Sequence, residues 1–216
     1  MRSLLSICLL ICTLTTSGQE IDNDLLRVRS RLDSIDFFRA DLKLVLDVDF
    51  IHMPVKYASI EYRKDKPVKF SSDDFVMIPK RGLDFSFREL FMYPFITVPV
   101  GFEEDGGTSL KVLHVIPSDE RSDLVMVTMK LDTLNQRVAM AQVNTKEDGT
   151  YQLKFSYNTA AQILPETLEI SFQIERIRIP FNFIGKDADI DRQKMKQEGD
   201  KEGKIFLSMS NYAFEK

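Results

Sequence analysis

Few residues in this chain are equipped for chemistry. There are two histidines, His52 and His114, and two cysteines, Cys8 and Cys12. Both cysteines lie in an N-terminal apolar run, so a thiolate metal site or a disulfide elsewhere in the chain is ruled out. A zinc site would need both histidines to converge with carboxylates, and their spacing suggests no such cluster; structural or surface histidines are expected. No serine sits in a Gly-x-Ser-x-Gly elbow, and there is no Gly-x-Gly-x-x-Gly turn or phosphate loop. The sharpest local motif is Asp187-Ala188-Asp189-Ile190-Asp191, followed by Gln193 and Glu198. These fall at positions one, three, five, seven and twelve of a calcium loop, but Arg192 stands where that loop's sharp turn requires glycine. The segment therefore reads as an acidic surface loop. No metal, cofactor or catalytic residue is expected. An envelope enzyme built around His52 or His114 ranks last among the functions considered.

The surrounding chain opens with Met1 and Arg2, an apolar run from Leu4 to Cys12, and mostly small polar residues to Gly18. This is the layout of a secretory signal peptide, with an apolar core too short to span a bilayer. Thr16 and Gly18 would occupy the −3 and −1 positions of the cleavage site. Residues 1–18 are thus expected to be a signal and 19–216 a single domain. An exported chain with no cysteine beyond its leader fits a bacterial envelope compartment. Ile11 before Cys12 is too large for lipoprotein acylation, so a free periplasmic protein is expected. The full chain has a net charge of −4 and the only charge in its leader is Arg2. The remainder is more acidic still, which argues against nucleic acid as a partner. Its 16 phenylalanines and 9 methionines suit a pliable apolar interior.

Apolar residues at Ile21, Leu25, Val28, Leu32 and Ile35 predict a helix with one apolar stripe. From Phe38 the period becomes two. Phe38, Ala40, Leu42, Leu44, Leu46, Val48 and Phe50 alternate with mostly charged residues, which predicts one long strand in a strongly curved sheet. Turn signals then separate further strands: 55–63, 68–71, 75–78, 108–116, 124–131, 136–143, 151–157, 167–175 and 205–210. Neighbouring strands joined by short turns predict an antiparallel meander. Between them, Leu83 to Gly101 is rich in aromatic and aliphatic residues but interrupted by Pro94 and Pro99. It reads as a short helix followed by an extended apolar loop, a flap across the sheet's apolar face. Asp187 to Lys204 reads as a solvated charged excursion.

This arrangement resembles the periplasmic lipoprotein-carrier (LolA/LolB-like) family over roughly Glu20 to Glu175. Leu25 to Phe50 resembles its first helix and long strand, Tyr62 to Phe70 its tyrosine, basic-proline and phenylalanine stretch, and Leu131 to Val138 its acidic hairpin turn. Asp148-Gly149 and Leu164-Pro165 follow in the family's order. Gly203 to Ser208 with Tyr212 resembles the ending of Bacteroidetes-type envelope relatives. The resemblance implies a mainly β fold: a curved antiparallel sheet forming an unclosed barrel, with helices and a loop lidding its apolar concave face. It implies a carrier that binds the acyl chains of lipoproteins, or another lipid, for transfer toward the outer membrane, between an inner-membrane donor and an outer-membrane acceptor. Phe38, Leu42, Leu44, Leu46, Val48 and Phe50 would form one cavity wall, and Phe85, Phe87, Leu90 and Phe91 the lid. An alternating strand with an aromatic flap is also what a filled core requires. A non-transporting lipid- or protein-binding sensor on the same scaffold is the alternative.

Overall fold

A computed structural model describes residues 21–72, 88–147, 149–173, 188–195 and 202–214. The proposed leader, the 75–78 strand, Phe85, Phe87, Asp148, Asp187 and Glu198 lie outside them. The first helix, α1, spans Asn23–Asp33. It begins two residues later than the apolar spacing alone predicts because Asp22 caps it. The Asp22 side chain accepts from the backbone N–H groups of Asp24 and Leu25, at 2.9 and 3.3 Å. Leu25 and Val28 are buried on the stripe expected to meet the sheet.

Twelve strands make one antiparallel sheet that is not closed into a barrel, as the sequence predicts. They are β1 (Phe37–Val48), β2 (Ile51–His52), β3 (Lys56–Arg63), β4 (Lys69–Ser71), β5 (Phe95–Asp105), β6 (Thr108–Pro117), β7 (Leu124–Asp132), β8 (Arg137–Thr145), β9 (Thr150–Ser156), β10 (Thr167–Gln173), β11 (Asp189–Ile190) and β12 (Glu202–Phe214). Two further helices are short: α2 (Arg88–Met92) and α3 (Arg192–Met195). The sheet runs β11-β2-β1-β12-β10-β9-β8-β7-β6-β5, with β3 and β4 branching from β1.

Three expectations need correction. First, the strand that starts at β1 does not continue through Phe50. Asp49 and Phe50 form a turn, and Ile51 folds back to pair with Val48. Phe50 is nonetheless buried. Second, the segment after Pro94 is not a loop lying across the apolar face but β5, paired along its length with β6. β5 ends the sheet order, and an edge strand tolerates proline because one side needs no N–H donor. Pro99 sits beside a bulge, between Pro99 and Gly101, where the register shifts. Third, the charged excursion is shorter than expected: it contains β11 and α3, and β12 already begins at Glu202.

Register places one apolar row directly beside another on the face covered by α1. One ladder runs Leu46–Ile205–Ile170–Leu153–Ala141–Met129–Leu113 across seven strands. The next runs Val48–Gly203–Phe172–Tyr151–Val143–Val127–Val115, and reaches Thr97 on β5. The two rows are two residues apart on each of the seven strands they cross, β1, β12, β10, β9, β8, β7 and β6, and so form a continuous apolar inner face.

Candidate functional site

α1 packs on the inner face through Leu25 and Val28. At the N-terminal end of α1, Asp22 N–H donates to Thr97 Oγ1 at 2.9 Å. There the Lys111 ammonium, from β6, lies 2.7 Å from Asp22 and 2.6 Å from Asp24. Burial raises the Asp22 pKa, but the Lys111 hydrogen bond and charge and the two backbone donors outweigh it, leaving the carboxyl below its ordinary value. Near the other end, Arg31 donates to the Asn135 carbonyl in the β7–β8 turn and, at 2.8 Å, to that of Ala161. Arg29 stacks over the Phe91 ring at 4.7 Å, joining α1 to α2.

Beneath α1 the packing is close. Val28 and Leu32 face Val138, Phe155, Tyr157, Ile163 and Pro165 across a gap of about 10 Å³, room for roughly one water. Burial pushes the Tyr157 phenol well above its ordinary pKa, and its hydroxyl donates to the Val138 carbonyl at 2.9 Å. Asp132 and Arg137, 2.9 Å apart, brace the adjoining hairpin turn.

The open space lies elsewhere, at the corner between β1 and β2. On the side of β1 away from β12, β3 pairs as far as Leu44 and β2 resumes only at Val48. Val45, Leu46 and Asp47 have no strand beside them there among the described residues. The chain detours through Met53, Pro54 and Val55 instead, because Pro54 cannot continue β2 as a laddered strand. The resulting notch opens into a hollow of about 530 Å³, lined by Leu46, Asp47, Val48, Asp49, Ile51, His52, Met53 and Pro54. That volume falls within the roughly 300–1,000 Å³ typical of ligand pockets.

The residues expected to form a wall and lid separate into four groups. Leu46, half-buried, lines the hollow, and Val48 borders it with its side chain buried in the core. Leu42, Leu44, Phe50 and Leu90 are buried in the core. Phe38 packs into an aromatic cluster with Tyr62, Tyr212 and Phe214, at ring separations of 5.2, 5.7 and 6.5 Å. Phe91 is half-buried against Arg29 and Phe95. Ile51, Met53, Pro54 and the polar rim are additional lining residues that strand alternation did not single out. Met53-Pro54 after a two-residue strand was the signal available for them. His114 Nδ1 lies 3.0 Å from Thr128 Oγ1, a structural contact, and His52 is exposed on the hollow's rim opposite Asp189. Asp191 caps α3 by accepting from the N–H groups of Gln193 and Lys194, both at 3.0 Å.

No protein-family model matches the chain, and no curated protein matches it. Among solved structures it is similar in overall architecture to an outer membrane lipoprotein-sorting protein domain from Vibrio parahaemolyticus. The identity is 14% and the TM-score 0.46, over 88% of this chain and 91% of that one. A LolA-superfamily protein from Nitrosomonas europaea matches at 11% identity and a TM-score of 0.48, over 89% and 94% of the two chains. A DUF1329 family protein from Desulfovibrio piger matches at 9% identity and a TM-score of 0.48, over 88% and 91%.

Proposed function

We propose that this protein is an exported, non-enzymatic carrier that shelters an acyl tail of a lipid or lipoprotein at the β1–β2 corner. One observation carries the reading: the open hollow of about 530 Å³ begins at Leu46 and Val48, the first members of two apolar ladders that cross the sheet. Met53, half-buried, adds apolar surface beside them. A tail that buries about six methylenes there gains about 5 kcal/mol, at about 0.8 kcal/mol each. The cost of association offsets much of this, so bare tails bind weakly and the rest of the cargo must contribute. The export signal read in residues 1–18 supports a periplasmic site of action, where a donor in one membrane and an acceptor in the other would be the partners.

Displacement of a neutral fluorescent probe by decanol tests the reading. Binding is expected in the wild-type chain. It should fall about tenfold in Leu46→Asp and in Met53→Asp, because a carboxylate in a tail site costs more than about 1.4 kcal/mol. Circular dichroism must confirm that each variant remains folded. Decanol that never displaces the probe from the wild type would remove the proposal.

The gap of about 10 Å³ under α1 favours a second reading. A helix already packed against its sheet suits a module that recognises a tail and signals, without enclosing and shuttling it. Deletion separates the two: loss of a carrier strands lipoproteins at the inner membrane, whereas loss of a sensor alters a response and leaves sorting intact.

A further inference from the structure

Among the described residues the open sheet has three outermost strands, and they differ in length. β11 has two residues and β4 three, whereas β5 has eleven, Phe95–Asp105. A very short edge strand offers little to a neighbouring chain, but a long one offers a row of main-chain N–H and C=O groups. β5 pairs with β6 on one side, and among the described residues no strand lies on its other side. The eight residues from Phe95 to Phe102 carry no charge. From Val98 onward every residue of β5 is exposed, with Val98 at 38%, Val100 at 57% and Phe102 at 68%. Pro99 removes one N–H from the row and the bulge interrupts it, so a pairing strand engages β5 in two short runs.

Charge distinguishes the possible partners. Glu103, Glu104 and Asp105 follow the apolar run at one end of β5. At the other end, the Arg29 guanidinium lies 4.7 Å from the Phe91 ring, which is 5.6 Å from that of Phe95, and Arg121 lies 5.8 Å from the Tyr93 ring. Both arginines are exposed, beside Asp33 and Asp119, and Glu103 has Lys130 as its neighbour. We infer that two copies of this chain pair through β5, antiparallel about a two-fold axis near Val100. The two uncharged runs then cover each other, and the acidic end of each strand lies at the arginine end of the other. A parallel arrangement would set Glu103, Glu104 and Asp105 against themselves. One strand a side makes a small interface, below about 1,200 Å², so the dimer is weak and forms at high concentration. The surface is at the far end of the sheet order from the β1–β2 corner, and the inference does not rest on tail binding there.

Sedimentation velocity of the exported chain, from about 5 μM to about 0.5 mM, reads the association. The share of dimer is expected to rise with concentration. Val100→Lys/Phe102→Lys should raise the dissociation constant at least about tenfold, because lysine on an edge strand opposes pairing. Both positions are exposed, and circular dichroism checks that the variant is folded. Outside the leader the chain has no cysteine, so single cysteines report the orientation. Under mild oxidation Val100→Cys should give a disulfide-linked dimer. Glu104→Cys should not, since the antiparallel arrangement holds the two copies of residue 104 roughly 25 Å apart, far beyond disulfide reach. A wild type that stays monomeric throughout overturns the inference, as does a lysine variant that dimerises like the wild type. Cross-linking through Glu104→Cys as readily as through Val100→Cys also overturns it. Each of these failures leaves the tail-binding reading standing.

Discussion

Asp22 has three roles at the start of α1: it caps the helix with its side chain, bonds Thr97 through its backbone, and pairs with Lys111. Lys111 in turn holds two carboxylates, and its own side chain is 18% exposed. Replacing it leaves Asp22 without its cation on a partly desolvated surface, and Asp24 with only Arg27, at 3.6 Å. Lys111→Met is therefore expected to lower stability by about 1–3 kcal/mol, read as a shift of the urea midpoint at pH 7. An unchanged midpoint would mean that α1 is held by its apolar stripe alone. The pair was not apparent from sequence, because Asp22 and Lys111 are far apart in the chain and only the β5–β6 hairpin brings them together.

At the scale of the element, β12 displays the constraint most clearly. Gly203 lies between Val48 on β1 and Phe172 on β10, in the ladder that begins at the hollow. A β-carbon there would sit 2.5 Å from the Phe172 ring and 3.0 Å from a Val48 methyl. Glycine is required at this position by close approach of its neighbours. Gly203→Ala should cost about 1–3 kcal/mol in thermal or urea unfolding, and Phe172→Leu in the same chain should recover part of that loss. Additive losses would place the strain elsewhere. Further along β12, the register shifts opposite Arg39 and Asp41, and Asn211 takes a positive φ of 53°. The shift moves Tyr212 and Phe214 to the face occupied by Phe38, which is how one strand serves both the apolar ladders and the aromatic cluster.

For the whole molecule, the carboxylate ties at the start of α1 and in the β7–β8 turn shape the response to pH. Asp22 and Asp132 are held below the ordinary carboxyl value of 3.8. For each, burial works against the ionised form and the hydrogen bonds outweigh it. Groups depressed in this way contribute stability above their ordinary value and lose it as the pH falls through the folded one. Stability should therefore be level from neutral pH to about pH 5 and decline below pH 4. In Lys111→Met the acid decline should be shallower, because Asp22 is then no longer depressed by its cation. At the alkaline end, the Lys111 pKa is raised above 10.5, so its contribution persists until the pH rises through that range. Urea midpoints across pH 3–7 check both curves, and parallel curves for the two proteins would refute the assignment to Asp22 and Lys111.

The alternation from Phe38 to Val48, the stripe on α1 and the turn signals between strands were readable in the residues themselves. Each is a local periodicity that determines which side chains share a face. An open antiparallel sheet with an apolar face under a helix follows from those patterns. What they could not determine is which strand lies beside which, and where a partner is missing. β5 was hidden by Pro94 just before it and by Pro99 within it, which an edge position tolerates. The hollow at Leu46 and Val48 exists because β3 stops pairing at Leu44 and β2 resumes only at Val48. Empty space is a property of the register between segments distant in sequence, so tertiary structure alone decided that Leu46 in a uniform apolar row faces an opening while Leu42, Leu44 and Val48 fill the core.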